Sequence, residues 1–206
     1  MRLSHSQRTS LASAARQYAQ AIGLAEEYLA ARGLSLEVAK RAGLGVVSEP
    51  IIGHEQYAGR LSIPYITPTG VVDIRFRALA DVAPKYMGMP GAKTHIYNVR
   101  ALLAAQDIIA VSGGELDAVT LSYAVGIPAV GIPGATNWKQ HYRRLLQDFE
   151  KVFIFADGDP PGQDFARNIA KEVNGTVIIN LPDGEDVNSM FVKHGESFFK
   201  EKVKYD

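Results

Sequence analysis

The most regular alternation of apolar and polar positions runs from residue 106 to residue 192. Ile108–Val111, Ala129–Ile132, Val152–Ala156 and Thr176–Asn180 are short apolar runs, with helical patterns at 115–124, 137–149 and 162–173 between them. Short runs without a polar face predict strands covered on both sides, and their alternation with helices predicts a mainly parallel sheet. Upstream, in residues 10–45, apolar positions recur at helical spacing. Ile22, Leu24, Tyr28 and Leu29 fit one helix, stopped by Gly33 at the C′ position. Ser35 then predicts the N-cap of a short helix from Leu36 to Ala42. Residues 46–100 read as β. "RLSIPYITPTGVVDIRFRAL" alternates on both sides of the turn tetrad Thr67-Pro68-Thr69-Gly70. In its second arm Val72, Ile74 and Phe76 should face one way, and Asp73, Arg75 and Arg77 the other, because strand side chains alternate.

These patterns predict an α/β chain, α+β overall. Its first part, residues 1–104, is a basic subdomain of helices and a β-hairpin. Its second, residues 105–206, is a four-stranded, mainly parallel sheet flanked by helices and closed by a C-terminal helix. Composition adds bounds. The chain has 206 residues, 47% of them hydrophobic, enough for one large core or two small ones. No apolar run approaches the roughly 18 residues of a membrane helix, and "MRLSHSQRTSLASAARQYAQ" lacks the apolar stretch of a secretory signal. There is no cysteine, which excludes disulfides and Cys-based zinc sites and suits a reducing cytoplasm. The net charge is zero, but residues 1–104 carry 12 Lys+Arg and 7 Asp+Glu, net +5, while residues 105–206 carry 10 and 15, net −5. That asymmetry points to a basic surface for polyanions and an acidic site for cations.

Where the acids fall sharpens the second point. In an open parallel sheet, sites gather beyond the carboxyl ends of the strands. Glu115 and Asp117 follow the first strand, Asp157 and Asp159 the third, and Asp183, Glu185 and Asp186 the fourth. Structural roles exist for each: Asp159 can cap a helix that opens with Pro160-Pro161, Glu115 and Asp117 can favour a helix dipole, and Asp183-Gly184 can be a turn. Seven carboxylates at one sheet edge nevertheless repel one another without a cation. Hard divalent cations take oxygen ligands, and magnesium is held by a few carboxylates plus substrate phosphates. The pattern therefore predicts a magnesium site for phosphoryl transfer, with manganese able to substitute. The five histidines are scattered, and neither a Gly-x-Ser-x-Gly elbow nor a Walker-type loop is present. "SGG" at 112–114 is a second, short candidate for cradling a phosphate. Arg75 and Arg77 on one strand face, with Lys85 and Lys93 in "APKYMGMPGAKTHIYN", form a basic set suited to phosphates.

"SGGELDAVTL" resembles the Glu-Gly-x-x-Asp stretch of the Toprim domain, and "FADGDPPGQDFA" resembles its Asp-x-Asp stretch. "LPDGEDVNSM" resembles the Leu-Pro-x-Gly-x-Asp-x-Asp stretch of DnaG-type bacterial and phage primases. "RLSIPYITPTGVVDIRFRAL" with "PKYMGMPG" is similar to the basic RNA-polymerase subdomain of those primases, and "AEEYLAARGLSLEVAKRAGLGVV" to their helical lead-in. The resemblance covers roughly residues 20–195. It implies that Asp117, Asp157, Asp159 and Asp186 bind metal and that Arg77 and Lys85 contact nucleotide or template. Two positions depart from the pattern. Gly113 stands where the family has a leading Glu, and Asn188 where it has a second Asp. Glu115 is then the nearest acid to replace the missing one, and Asn188 offers a cation only a carbonyl oxygen.

The expectation that follows is a DNA primase core. It would use ribonucleoside triphosphates and single-stranded DNA to make short RNA primers during replication, with two magnesium ions about 3.5–4 Å apart. Glu115, Asp117, Asp157 and Asp159 are the expected catalytic acids. Asp117, Asp157, Asp159, Asp186 and Asn188 are the expected metal ligands, and Arg75, Arg77, Lys85 and Lys93 the expected nucleotide and DNA contacts. The resemblance also implies a replicative helicase as partner, a zinc-binding module supplied by another chain and the cytoplasm of a bacterial or phage-infected cell; a single polymerase core is expected to be a monomer. Two other readings share the acids: a Toprim nuclease, and a non-catalytic nucleic-acid-binding replisome adaptor, which Gly113 and Asn188 favour.

Overall fold

The hairpin expected around residues 61–77 is the centre of an antiparallel sheet in the first half of the molecule. A computed structural model describes residues 3–134 and 137–204, and the chain divides into two compact units, Met1–Lys93 and Thr94–Asp206. The first begins with helix α1 (His5–Gln20), started by a capping box in which the Ser4 hydroxyl accepts from Gln7 N–H and the Gln7 side chain accepts from Ser4 N–H. A 3-10 turn (Ile22–Ala25) leads into α2 (Glu26–Ala30), and Gly33 ends it at φ +71°. The expected single helix over Ile22 to Leu29 is therefore two short pieces, and Leu24, expected on its packed face, is 68% exposed. Helix α3 (Leu36–Arg41) starts where Ser35 predicts, with the Ser35 hydroxyl accepting from Val38 N–H at 3.2 Å.

Strands β1 (Gly45–Val46), β2 (Leu61–Thr67), β3 (Gly70–Arg77) and β4 (Tyr86–Met87) pair in that order, all antiparallel. The β2–β3 register steps from Tyr65↔Asp73 to Ile66↔Val71, so Val72 is an extra residue. Such a bulge inverts the facing of residues beyond it. Val71, not Val72, therefore packs with Ile74 and Phe76 against Ala14, Tyr18 and Tyr57. Alternation on β3 was right only after the bulge. Phe76 stacks on Tyr57 with ring centroids 3.8 Å apart.

In the second unit α4 (Ala101–Ala104) precedes β5 (Ile108–Ser112). Then come α5 (Glu115–Val119), a π-helical turn (Thr120–Val125) and β6 (Ala129–Gly131). After α6 (Arg143–Leu146) follow β7 (Lys151–Ala156), α7 (Pro160–Ala170), β8 (Thr176–Asn180) and α8 (Val187–Lys202), which is kinked at Gly195. The strand order is β6-β5-β7-β8, parallel throughout. Tyr97 exchanges backbone hydrogen bonds with Gly131 at the β6 edge, so residues 94–104 pack with this unit. Alternate strand residues face opposite layers. Ile109, Val111, Val130, Val152 and Ile154 pack on Leu146, Phe165 and Ile169. Ala110, Ala129, Phe153, Phe155 and Ile179 pack on Leu121, Val125, Met190 and Phe199. Between 137 and 149 the expected helix is only a 3-10 turn (Gln140–Tyr142) and the one turn of α6. Its buried positions, Tyr142 and Leu146, span a single turn, too little apolar face to sustain a longer helix.

Candidate metal and nucleotide site

Because β5, β7 and β8 are parallel, their carboxyl ends lie at one edge of the sheet. The segment Ser112-Gly113-Gly114 leaves β5, Asp157-Gly158-Asp159 leaves β7, and residues 181–186 leave β8. The last two loops are tied together. Gly158 N–H donates to Glu185 O and Gly184 N–H donates to Gly158 O, each at 2.8 Å. A Cβ at Gly158 would lie 1.7 Å from Pro182 O, so only glycine fits there.

This docking sets the electrostatics of Asp157. Its carboxyl is pushed up to about 6, first by burial and then by the charges of Asp186 and Asp159. Its Oδ1 is buried with no hydrogen-bond partner. Asp157 and Asp159 line a pocket of about 220 Å³ with Gly113, Gly134, Phe155 and Phe165. Gly113 borders Asp157 directly: a Cβ there would sit 3.5 Å from Asp157 Oδ2, an ordinary contact. Gly113, where the resemblance implied an acid, therefore opens onto this pocket.

Asp159 and Asp186 also fill the structural roles open to them. Asp159 Oδ1 accepts from Gly162 N–H at 2.7 Å and caps α7, which opens with Pro160 and Pro161. Asp186 Oδ1 accepts from Ser189 N–H at 2.7 Å and caps α8. An ionised carboxylate has about four lone-pair sites, so one cap bond does not exhaust it.

Asp117 is 9% exposed and accepts a hydrogen bond on Oδ1 from the Asn188 side-chain amide. Glu115 is 1% exposed. Burial, then Tyr123 and Glu115, hold the Tyr97 phenol well above its ordinary range. Glu185 pairs with Lys193, whose hydrogen bond draws its carboxyl below the usual range. Asp183 is exposed beside Gly184, in the turn closed by Glu185 N–H to Pro182 O. Among the described residues, no three His, Asp or Glu side chains form a metal centre by themselves. The donor set still suits magnesium, which takes one or two carboxylates and completes its shell with water and substrate phosphates. The unpartnered Asp157 oxygen and the mutual repulsion of Asp157, Asp159 and Asp186 are what such an ion would relieve.

In the first unit, Arg75 and Arg77 converge on Tyr86, their guanidinium carbons 5.0 and 4.8 Å from its ring centroid. Arg77 also donates to Tyr86 OH and lies 5.7 Å from the Tyr28 ring, over which Arg32 stacks at 3.8 Å. Lys85 and Lys93 are exposed. Tyr28, Arg32 and Tyr86 were absent from the expected set. The i, i+4 spacing of Tyr28 and Arg32 is the sequence signal that would have paired them.

A family model described as Toprim-like matches residues 110–191. The chain is 43% identical over 152 residues to the Gene 57 protein of Mycobacterium phage D29, covering 71% of this chain and 99% of that one. It is 24% identical over 225 residues to a DNA primase of Haemophilus influenzae, covering 87% of this chain but 38% of that protein. The chain thus spans under two fifths of the length of the bacterial primases it matches. The RNA polymerase domain of Mycobacterium tuberculosis primase DnaG, in complex with double-stranded DNA, superposes with a TM-score of 0.78 at 22% identity. That match covers 97% of this chain and 80% of the other, and the fold is shared.

Proposed function

The chain belongs to the DnaG-type primase family with a Toprim domain, and from that premise we propose that it is a primase catalytic core. It copies single-stranded DNA into short RNA primers from ribonucleoside triphosphates. The observation that carries this is the Asp157–Asp159–Asp186 group, with a buried, unpartnered carboxylate oxygen beside an open pocket. A divalent cation bound there, magnesium or manganese, would neutralise charge on the phosphates of the incoming nucleotide.

The chain's own residues do the rest by holding and orienting. Asp159 and Asp186 are fixed as helix caps, and Asp157 by the Gly158 loop contacts. With a carboxyl near 6, Asp157 is ionised at neutral pH. Phe155 and Phe165 wall the pocket. The primer 3′-hydroxyl attacks the α-phosphate and pyrophosphate leaves, with no covalent bond to a side chain. Arg75, Arg77, Lys85 and Lys93 are the proposed contacts for the phosphates of the template, Arg77 as a planar fork steadied by Tyr86 and Tyr28. A helicase and a zinc-binding module on separate chains are the proposed partners.

One observation favours the adaptor reading: Gly113 brings no acid to the pocket. Incubating the chain with single-stranded DNA, labelled ribonucleotides and magnesium or manganese separates the two. Metal-dependent oligoribonucleotides support the primase. DNA binding without synthesis, also after adding a zinc-module partner, leaves the adaptor.

A further inference from the structure

Asp117 and Asp157 follow neighbouring strands, yet their charges are met in different ways. Asp157 has a buried oxygen that no protein group satisfies. Asp117 is clamped. The Asn188 amide donates to its Oδ1, and Asn188 is itself 7% exposed. Thr120 Oγ1, fully buried, lies 3.3 Å from Asn188 Oδ1 and 3.1 Å from Leu116 O, its single proton serving one or the other. On the other side Asp117 Oδ2 packs on Gly114, where a Cβ would come within 2.5 Å of it.

We propose that Asn188 holds Asp117 as a structural carboxylate, so that this chain binds one divalent cation, at Asp157, Asp159 and Asp186, and not two. The inference rests on the reading of that trio as a cation site. An aspartate at 188 would place two carboxylates at hydrogen-bond distance in a buried site, an arrangement that needs a proton or a cation between them. The amide supplies an N–H in that place, and the need for a cation disappears. A second ion 3.5–4 Å from the first, the usual spacing of two-metal sites, would draw on the very acids that are missing or engaged. Gly113 has no carboxylate, Glu115 is buried, and Asp117 gives Oδ1 to the Asn188 amide while its Oδ2 lies against Gly114, so that, unlike Asp159 and Asp186, both of its oxygens are occupied.

The test is a manganese titration of the full chain followed by electron paramagnetic resonance, with no nucleotide or DNA present. Wild type should bind one ion per chain without the broadening of a coupled pair. Asp117→Asn should still bind one ion, with affinity changed by less than about threefold. Asp157→Asn should lose on the order of tenfold or more, because ligand charge sets affinity in such sites. Two coupled ions in the wild type would overturn the proposal, as would a loss in Asp117→Asn as large as that in Asp157→Asn. Because Asp117→Asn keeps a carbonyl oxygen to accept from the Asn188 amide, it tests ligation without emptying the network. A wild type that binds no manganese at all overturns the cation site itself, and this inference with it.

Discussion

Replacing Asp157 by asparagine should stabilise the protein wherever no cation is bound. Asp157 titrates near 6 in the folded chain against an ordinary 3.8. Folding therefore favours its protonated form, and the folded state binds more protons than the unfolded one between those values. The stability contributed by the neutral carboxyl is present below pH 4 and is lost as pH rises through 4 to 6. Above that, the buried charge costs about 3 kcal/mol at 1.36 kcal/mol per unit, reduced to about 1–2 kcal/mol by salt and local relaxation. Asparagine keeps the shape and removes the charge. For a chain of this size each kcal/mol moves Tm by about 2–4 °C, so Asp157→Asn should melt about 2–8 °C above wild type at pH 7.5 in EDTA. The gap should shrink to about a third at pH 4.5 and close below pH 4. Millimolar magnesium should raise the Tm of the wild type and leave the variant unmoved. Circular dichroism melts across pH, with and without magnesium, read all of this. A variant less stable than wild type at pH 7.5 in EDTA, with the same pH dependence, would refute the assignment of a strained, cation-seeking carboxylate.

Gly158→Ala drives a methyl group into Pro182 O and should separate the two acidic loops. A destabilisation of about 1–3 kcal/mol, together with loss of the magnesium-dependent rise in Tm, is the expected result in thermal melts. Asp186 carries two roles that substitution can part. Asp186→Ser keeps the cap on α8 and should hold Tm while weakening manganese binding, whereas Asp186→Ala should also lose about 1 kcal/mol of stability. Lys85→Ala should reduce the salt slope of single-stranded DNA binding by about 0.7 per phosphate contact, measured by fluorescence anisotropy over a salt series. Arg77→Ala should do the same and also lower Tm, because it removes the Arg77 hydrogen bond to Tyr86 and the Arg77 guanidinium beside the Tyr28 ring.

Strands β5, β7 and β8 were legible because their residues are apolar on both faces, the mark of a covered parallel sheet, and their ends fell within a residue of expectation. Ser35 was legible because an N-cap is a local contact. What depended on distant partners was not. Helix α1 is held by Ala14, Ala15 and Tyr18, and small side chains carry little hydropathy although they allow close packing on β3. Val72 was misplaced because a bulge is invisible to strict alternation. Of the acids, the sequence placed all at strand ends. Only packing sorts them into the trio around Asp157, the clamped Asp117 and the buried Glu115. The Asn188–Asp117 contact joins residues 71 apart, and no spacing rule reaches that far. The same holds for Arg77, whose ring partners Tyr28 and Tyr86 come from different elements.

The most direct test of the central claim is template-directed synthesis by the purified chain. A single-stranded template of defined sequence, four ribonucleotides with one labelled, and magnesium or manganese are incubated with wild type and with the Asp157→Ala/Asp159→Ala variant, and products are sized and sequenced. Short RNA complementary to the template, dependent on metal and absent from the variant, is the predicted result. Template cleavage in place of synthesis, or equal incorporation by both proteins, would contradict it.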